Sequence, residues 1–262
     1  MFKKITNFNL LNVFILTLAS MSYSAQATPI PVDLSTWQSD GAGNWNLQSG
    51  NDSVFQSTNG DPTVFFESGS NAQGTQISGS IQVTSSSDDD FIGFVLGYQD
   101  NELSSASSEF LLIDWKQQDQ NLSSTVIGLD GLAISKVNGA GTFNEFWGHT
   151  GPVSEIARAT NLGSTGWVDN QAYMFDIVFT SNMVQVYVDS SLEISITAAD
   201  AGVASFSDGA VGFYNSSQAS VLYAGITEQI VTQQPVPEPS TLAIFALGMI
   251  GLASRRFKKQ SL

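Results

Sequence analysis

The middle of the chain is written in two-residue steps. Every second residue is large and apolar in Tyr173, Phe175, Ile177 and Phe179, which is one face of a strand. Further runs are β-branched and aromatic: Ile77–Thr84, Phe91–Tyr98, Glu109–Lys116, Leu132–Val137, Ala172–Thr180, Met183–Val188, Leu192–Thr197, Ala210–Tyr214 and Ser220–Thr227. Clusters of Gly, Ser, Asn and Asp separate them. Ser181-Asn182 and Asp189-Ser190-Ser191 are short enough to close hairpins. No long helical period occurs between the two ends. The pattern predicts an all-β domain of two antiparallel sheets packed face to face over residues 28–230.

The ends follow different rules. Lys3 and Lys4 precede an apolar run from Leu10 to Ala19 and a small-x-small site at Ala25-Gln26-Ala27. Residues 1–27 therefore predict an export signal cut after Ala27, the plainer alternative being an uncleaved anchor. Residues 231–236 make a short Gln- and Pro-containing linker. Beyond it, in residues 237–262, come Pro237-Glu238-Pro239, an apolar run from Thr241 to Ala253, and the basic cluster Arg255, Arg256, Lys258 and Lys259. That run is shorter than the roughly 20 residues of a relaxed transmembrane helix, and the cations behind it hold that end in the cytoplasm. This order resembles the PEP-CTERM sorting tail of exopolysaccharide-producing Gram-negative bacteria. The resemblance implies passage through the inner membrane, recognition by an exosortase, cleavage near Pro-Glu-Pro, and attachment at or release from the cell surface. A plain C-terminal anchor is the alternative.

Charge sharpens the picture. All 24 acids lie between Asp33 and Glu238, where only Lys116, Lys136 and Arg158 oppose them, so this middle carries 3 − 24 = −21. Such a field repels nucleic acid and anionic lipid and attracts divalent cations. The absence of cysteine excludes disulfides, thiol catalysis and iron–sulfur chemistry.

Four motifs carry an identity. They are Asp88-Asp89-Asp90-Phe91-Ile92-Gly93-Phe94-Val95-Leu96-Gly97-Tyr98-Gln99-Asp100, then Phe110 to Gln117 ending Asp114-Trp115-Lys116-Gln117, then Trp147-Gly148-His149-Thr150-Gly151, and Gly166-Trp167-Val168-Asp169. In this order, and closed by Gly209-Ala210-Val211-Gly212-Phe213-Tyr214, they resemble the lectin-like C-terminal domain of thrombospondins. The resemblance implies a concanavalin-A-like jelly-roll sandwich, extracellular calcium sites and a role in adhesion or matrix binding. The chain departs from that family in lacking the aspartate-rich calcium repeats that precede the domain, in lacking its cysteines, and in carrying Val168 where lysine is usual.

The candidate chemistry follows. Asp88, Asp89 and Asp90 are adjacent carboxylates that repel one another unless solvated or bound to a cation, and calcium takes roughly six to eight oxygens. Asp100 and Asp208, with Asn101, complete a candidate metal set if the loops converge; a solvated acidic turn is the plainer reading. Of the tryptophans Trp37, Trp45, Trp115, Trp147 and Trp167, the pair Trp147 and Trp167 stand in loop-like contexts and are the candidates for stacking on a sugar. His149 is the only histidine, which excludes a multi-histidine metal site, and it is expected to be a loop residue bonded to backbone. No Gly-x-Ser-x-Gly elbow and no Glu-x-Asp-x-Glu strand is present, so no catalytic residue is nominated. The expected protein is a non-catalytic, calcium-binding surface module with an exopolysaccharide or cell-surface glycan as partner. An extracellular polysaccharide-acting enzyme on the same scaffold and a structural matrix protein without a ligand are the alternatives.

Overall fold

A computed structural model describes residues 28–231. The signal with Ala27, most of the linker, and the Pro237-Glu238-Pro239 tail lie outside the described residues.

In chain order the strands are β1 (Ile30–Pro31), β2 (Gln38–Gly41), β3 (Trp45–Leu47), β4 (Val54–Gln56), β5 (Thr63–Phe66), β6 (Thr75–Val83), β7 (Phe91–Tyr98) and β8 (Glu109–Lys116). Then come β9 (Gln120–Asn121), β10 (Ile127–Gly128), β11 (Gly131–Asn138), the short helix α1 (Phe143–Gly148) and β12 (Val153–Arg158). The last are β13 (Ala172–Phe179), β14 (Met183–Val188), β15 (Ser191–Thr197), β16 (Ala210–Ser216) and β17 (Val221–Ile230). One sheet runs β15-β14-β13-β6-β17-β4-β3, with β1 on β17, and the other β12-β11-β8-β7-β16-β5-β2. The strand pairs are antiparallel, as expected of a sandwich whose neighbours are joined by short turns. Asp189 and Ser190, both at positive φ, form the two-residue turn between β14 and β15.

The inward faces close one core. Ile77, Ile81 and Val83 of β6 are buried with Tyr173, Phe175, Ile177 and Phe179 of β13, and they meet Ile92, Phe94 and Leu96 of β7 from the opposite sheet. Phe94 and Phe175 span the layers with ring centroids 4.5 Å apart, a contact worth about 0.5–1.5 kcal/mol beyond its area. All eight residues of β7 are buried because its outer face is covered too. There Phe91 and Val95 join Leu112, Phe146, Trp147, Val153 and Tyr214 in a second apolar cluster roofed by α1.

Strand boundaries match the periodicity at β7, β8 and β14 and differ elsewhere by a few residues. The five short strands before residue 67, together with β9, β10, β12 and α1, have no counterpart in the periodic pattern. Trp147 stands in α1, not in a loop. The helix is defined by its cap: Thr142 and Glu145 bond each other's backbone N–H, and His149 closes it at φ 47.

Candidate functional site

The antiparallel pairing of β7 with β8 sets Ile92 opposite Trp115, so the entrance of one strand lies beside the exit of the other. Asp88-Asp89-Asp90 and Lys116-Gln117 consequently share a corner, where the Gln117 N–H donates to the Asp89 carbonyl at 3.1 Å. The glycines of the motifs permit this closeness. A Cβ on Gly93 would stand 2.0 Å from the Ile113 carbonyl oxygen, and one on Gly166 would stand 1.9 Å from that of Gln117.

One carboxylate oxygen from each of Asp88, Asp89 and Asp90 lies within 4.8 Å of the others. A buried ammonium faces them. Lys116 Nζ donates to Asp90 Oδ1 at 2.5 Å, to the Asp89 carbonyl at 3.1 Å and to Gln120 Oε1 at 2.9 Å. It stands 3.3 Å from Asp89 Oδ1 and lies over the Trp147 ring, 4.7 Å from its centroid. Asp90 is buried with it, and its N–H is taken by Gln218 Oε1 at 2.8 Å. Asp88 and Asp89 are half-buried, and Asn59 donates to Asp88 Oδ2. Partial burial, followed by repulsion from Asp90 and Asp89, pushes the Asp88 carboxyl up to about 6. Three carboxylates against one ammonium leave an excess of negative charge. The donor set fits a hard cation on the outer side, through Asp88 and Asp89, while Lys116 occupies the inner side and commits Asp90.

The remaining expected ligands are elsewhere. Asp100 follows the far end of β7, and eight residues at ~3.3 Å each put it about 26 Å from Asp90. Asp208 precedes β16, whose first residue pairs with Tyr98 at that same far end. Both hold the loop after β5: Asp100 Oδ2 accepts from Ser68 Oγ at 2.9 Å, and Asp208 Oδ1 accepts from the Gln73 N–H at 3.1 Å. The expectation that they join the triple aspartate is corrected.

The sugar-stacking expectation for Trp147 and Trp167 is also corrected, since both are buried at 3% and 2% exposure and offer no ring face. Trp167 Nε1 donates to the carbonyls of Asp90 and Trp115, each at 3.1 Å, and Trp147 Nε1 donates to that of Gln120 at 3.3 Å. Gln117 Nε2 reaches Asp169 Oδ1 at 3.2 Å. The four motifs thus clasp one another around this corner.

His149 does not bond backbone through its ring, as expected of a loop residue. Its Nε2 lies 2.9 Å from Asp114 Oδ2 and its Nδ1 3.4 Å from Glu155 Oε2. Burial opposes its charge, but the Asp114 and Glu155 carboxylates outweigh burial and push the imidazole up to about 10. A histidine held protonated, with both nitrogens taken, is a structural cation rather than a general base. The lone Asp114 inside the apolar run Phe110–Trp115 was the sequence signal for a buried partner.

The solved structures of similar fold include a carbohydrate binding module, CBM66 from Bacillus subtilis, at TM-score 0.52 and 13% identity, covering 74% of this chain and 95% of that one. The exoplasmic/lumenal domain of VIP36 in its Ca2+/Man3GlcNAc-bound form matches at TM-score 0.52 and 12% identity, over 80% and 91% of the two chains. At these identities they establish the lectin-like fold alone. Among curated proteins, thrombospondin-3b of Danio rerio is 30% identical over 205 residues, covering 70% of this chain and 20% of its own, and thrombospondin-2 of Mus musculus is 27% identical over 199 residues, covering 70% and 16%. The chain therefore spans about a fifth or less of the length of these relatives. Residues 235–259 match the PEP-CTERM protein-sorting motif. Residues 40–231 match the thrombospondin C-terminal region, and the chain belongs to that family.

Proposed function

We propose that this is an exported, non-catalytic surface module that binds a matrix or cell-surface glycan, with calcium at the Asp88–Asp90 corner ordering its loops. The observation that carries the reading is the joining of a lectin-like sandwich of the thrombospondin C-terminal family directly to a sorting motif. On this reading an exosortase processes the tail after the chain has crossed the inner membrane of a Gram-negative bacterium, and the folded domain acts outside, in adhesion to polysaccharide. Two proteins of similar fold, a carbohydrate binding module and a lumenal domain in its Ca2+/Man3GlcNAc-bound form, support the ligand class. The uncompensated carboxylates support the metal, which would supply positive charge to Asp88 and Asp89 and bind at roughly 10⁻⁴ to 10⁻³ M, as extracellular modules do. His149, locked between two carboxylates, supports the non-catalytic part.

The test is retention of the purified protein on immobilised neutral polysaccharides (dextran, mannan and cellulose) in millimolar calcium chloride and in EDTA. Retention that weakens in EDTA is expected. No retention on any of the three overturns glycan binding, equal retention in both buffers overturns the role of calcium, and release of reducing ends overturns the non-catalytic assignment.

A further inference from the structure

The dipeptide Asn-Gly occurs twice in the chain, at Asn59-Gly60 and Asn138-Gly139. It is the pair most prone to lose its side-chain amide, because glycine has no side chain to shield its backbone nitrogen from the asparagine Cγ. The fold treats the two pairs differently. Asn138 ends β11, and the Gly139 N–H is engaged, donating to the Ser108 carbonyl at 2.9 Å. Asn59 is exposed, in the loop that carries the chain from β4 in one sheet to β5 in the other. This loop is pinned on both sides. The Gln56 side-chain amide takes the Thr58 carbonyl at 2.7 Å and the Thr58 N–H at 2.8 Å, and the Gly60 carbonyl accepts from the Ser217 N–H at 2.7 Å. Between these ties the Gly60 N–H meets no acceptor among the described residues. The Asn59 amide is oriented as well. Its Nδ2 donates to Asp88 Oδ2, and its Oδ1 stands 3.4 Å from the Ser217 hydroxyl. The amide nitrogen therefore borders the acidic corner.

We propose that Asn59 is a site of deamidation, and that the reaction adds a fourth carboxylate to the corner formed by Asp88, Asp89 and Asp90. The Gly60 nitrogen gives its proton to hydroxide and attacks Asn59 Cγ. The new N–Cγ bond closes a cyclic imide, the Cγ–Nδ2 bond breaks, and the nitrogen leaves as ammonia. Water then adds to one of the two imide carbonyls and opens the ring, leaving aspartate or isoaspartate. The balance is an amide and water in, a carboxylate and ammonium out, with no oxidant or reductant. The Ser217 hydroxyl is placed beside the oxygen on which charge develops during the attack. The covalent step stands on the loop, and its consequence rests on the calcium reading of the corner. Lys116 commits Asp90 and leaves Asp88 and Asp89 to a cation. As an amide, Asn59 spends a donor on Asp88; as a carboxylate it becomes a third anionic ligand there. Calcium affinity rises with the number of charged ligands, so conversion tightens the site by about tenfold. The site on this view strengthens with the age of the molecule.

The test ages the full chain, in detergent, in warm and mildly alkaline buffer. Peptide mapping by mass spectrometry, with fragmentation that separates aspartate from isoaspartate, follows both pairs. Conversion at Asn59 is expected with Asn138 intact, and in denaturant both pairs should convert. If Asn59 in the folded chain lasts as long as Asn138, the modification site is overturned and the calcium reading stands. Gly60→Ala keeps the amide and hinders the attack. Its Cβ would meet the Ala42 carbonyl oxygen at 3.3 Å, which asks only a slight adjustment of the loop. Conversion should slow in this variant, while undiminished conversion would overturn the part given to the Gly60 nitrogen. Calorimetric titration with calcium chloride then compares the fresh chain with Asn59→Asp, which carries the new carboxylate from the start. Binding about tenfold tighter is expected in the variant. Equal affinity would overturn the consequence and leave the metal site in place. No calcium binding by either chain would overturn the calcium reading and the consequence together, whatever the map shows at Asn59.

Discussion

The Lys116 ammonium lies 2.5 Å from Asp90 Oδ1, with 0% of the lysine side chain and 4% of the aspartate exposed to solvent. A buried pair of this kind is worth little more than a well-packed apolar pair of the same shape, but removing one member strands the other. Lys116→Met should therefore destabilise the domain by about 3–5 kcal/mol, because Asp90 loses its counter-charge. For about 200 residues that corresponds to a fall in Tm of roughly 10 °C, measurable by scanning calorimetry. A fall of one or two degrees would mean that Asp90 finds another donor.

Asp88 sets a pH dependence of opposite origin. Its folded-state carboxyl is raised from 3.8 to about 6 by partial burial and by its acidic neighbours. The folded state thus binds its proton more tightly than the unfolded chain does, and stability falls as pH rises through this interval. In EDTA, Tm should decline between pH 4 and pH 6, and millimolar calcium should restore it at pH 7. Asp88→Asn should abolish both the decline and the calcium response. If the decline persists in that variant, another carboxyl carries it.

The ion pair under α1 works in the alkaline direction. The carboxylates of Asp114 and Glu155 hold His149 protonated up to about 10, against an ordinary 6.5. A raised histidine contributes stability that is complete below pH 6.5 and is lost as pH climbs through 10. Denaturant midpoints should fall between pH 7 and pH 10. His149→Gln should start lower at pH 7 by about 3–5 kcal/mol, since Asp114 is then buried without a counter-charge, and should show a flatter profile over the same range.

These groups differ in how far the chain announced them. Phe91–Tyr98, Glu109–Lys116 and Met183–Val188 were legible to the residue because apolar and β-branched side chains fill them end to end. The strands from Gln38 to Phe66 were not, being three or four residues long and mostly polar in their first half, too short for a period to register. Three adjacent aspartates are visible in any sequence. Lys116 is 26 residues from Asp90, and only the register of β7 on β8 brings them together. The exposure of Trp147 and Trp167 was illegible for a related reason: a loop-like sequence does not say whether its ring turns outward or into a clasp. The separation of Asp100 from Asp90, in contrast, was available from the start, since one uninterrupted strand lies between them.

That separation gives the last prediction. Asp208 and Asp100 hold the Glu67–Gly74 loop through the Gln73 N–H and Ser68 Oγ. Their removal should act on that loop and not on the cation site at the other end. Asp208→Ala should cost about 0.5–1.5 kcal/mol, the net value of a hydrogen bond, with faster amide exchange confined to the loop. Calorimetric titration should give the same calcium affinity as the unaltered chain. Joint loss of calcium binding in Asp208→Ala and Asp88→Asn would mean that the two acidic groups are coupled across the sandwich, which the rigid β7 between them argues against.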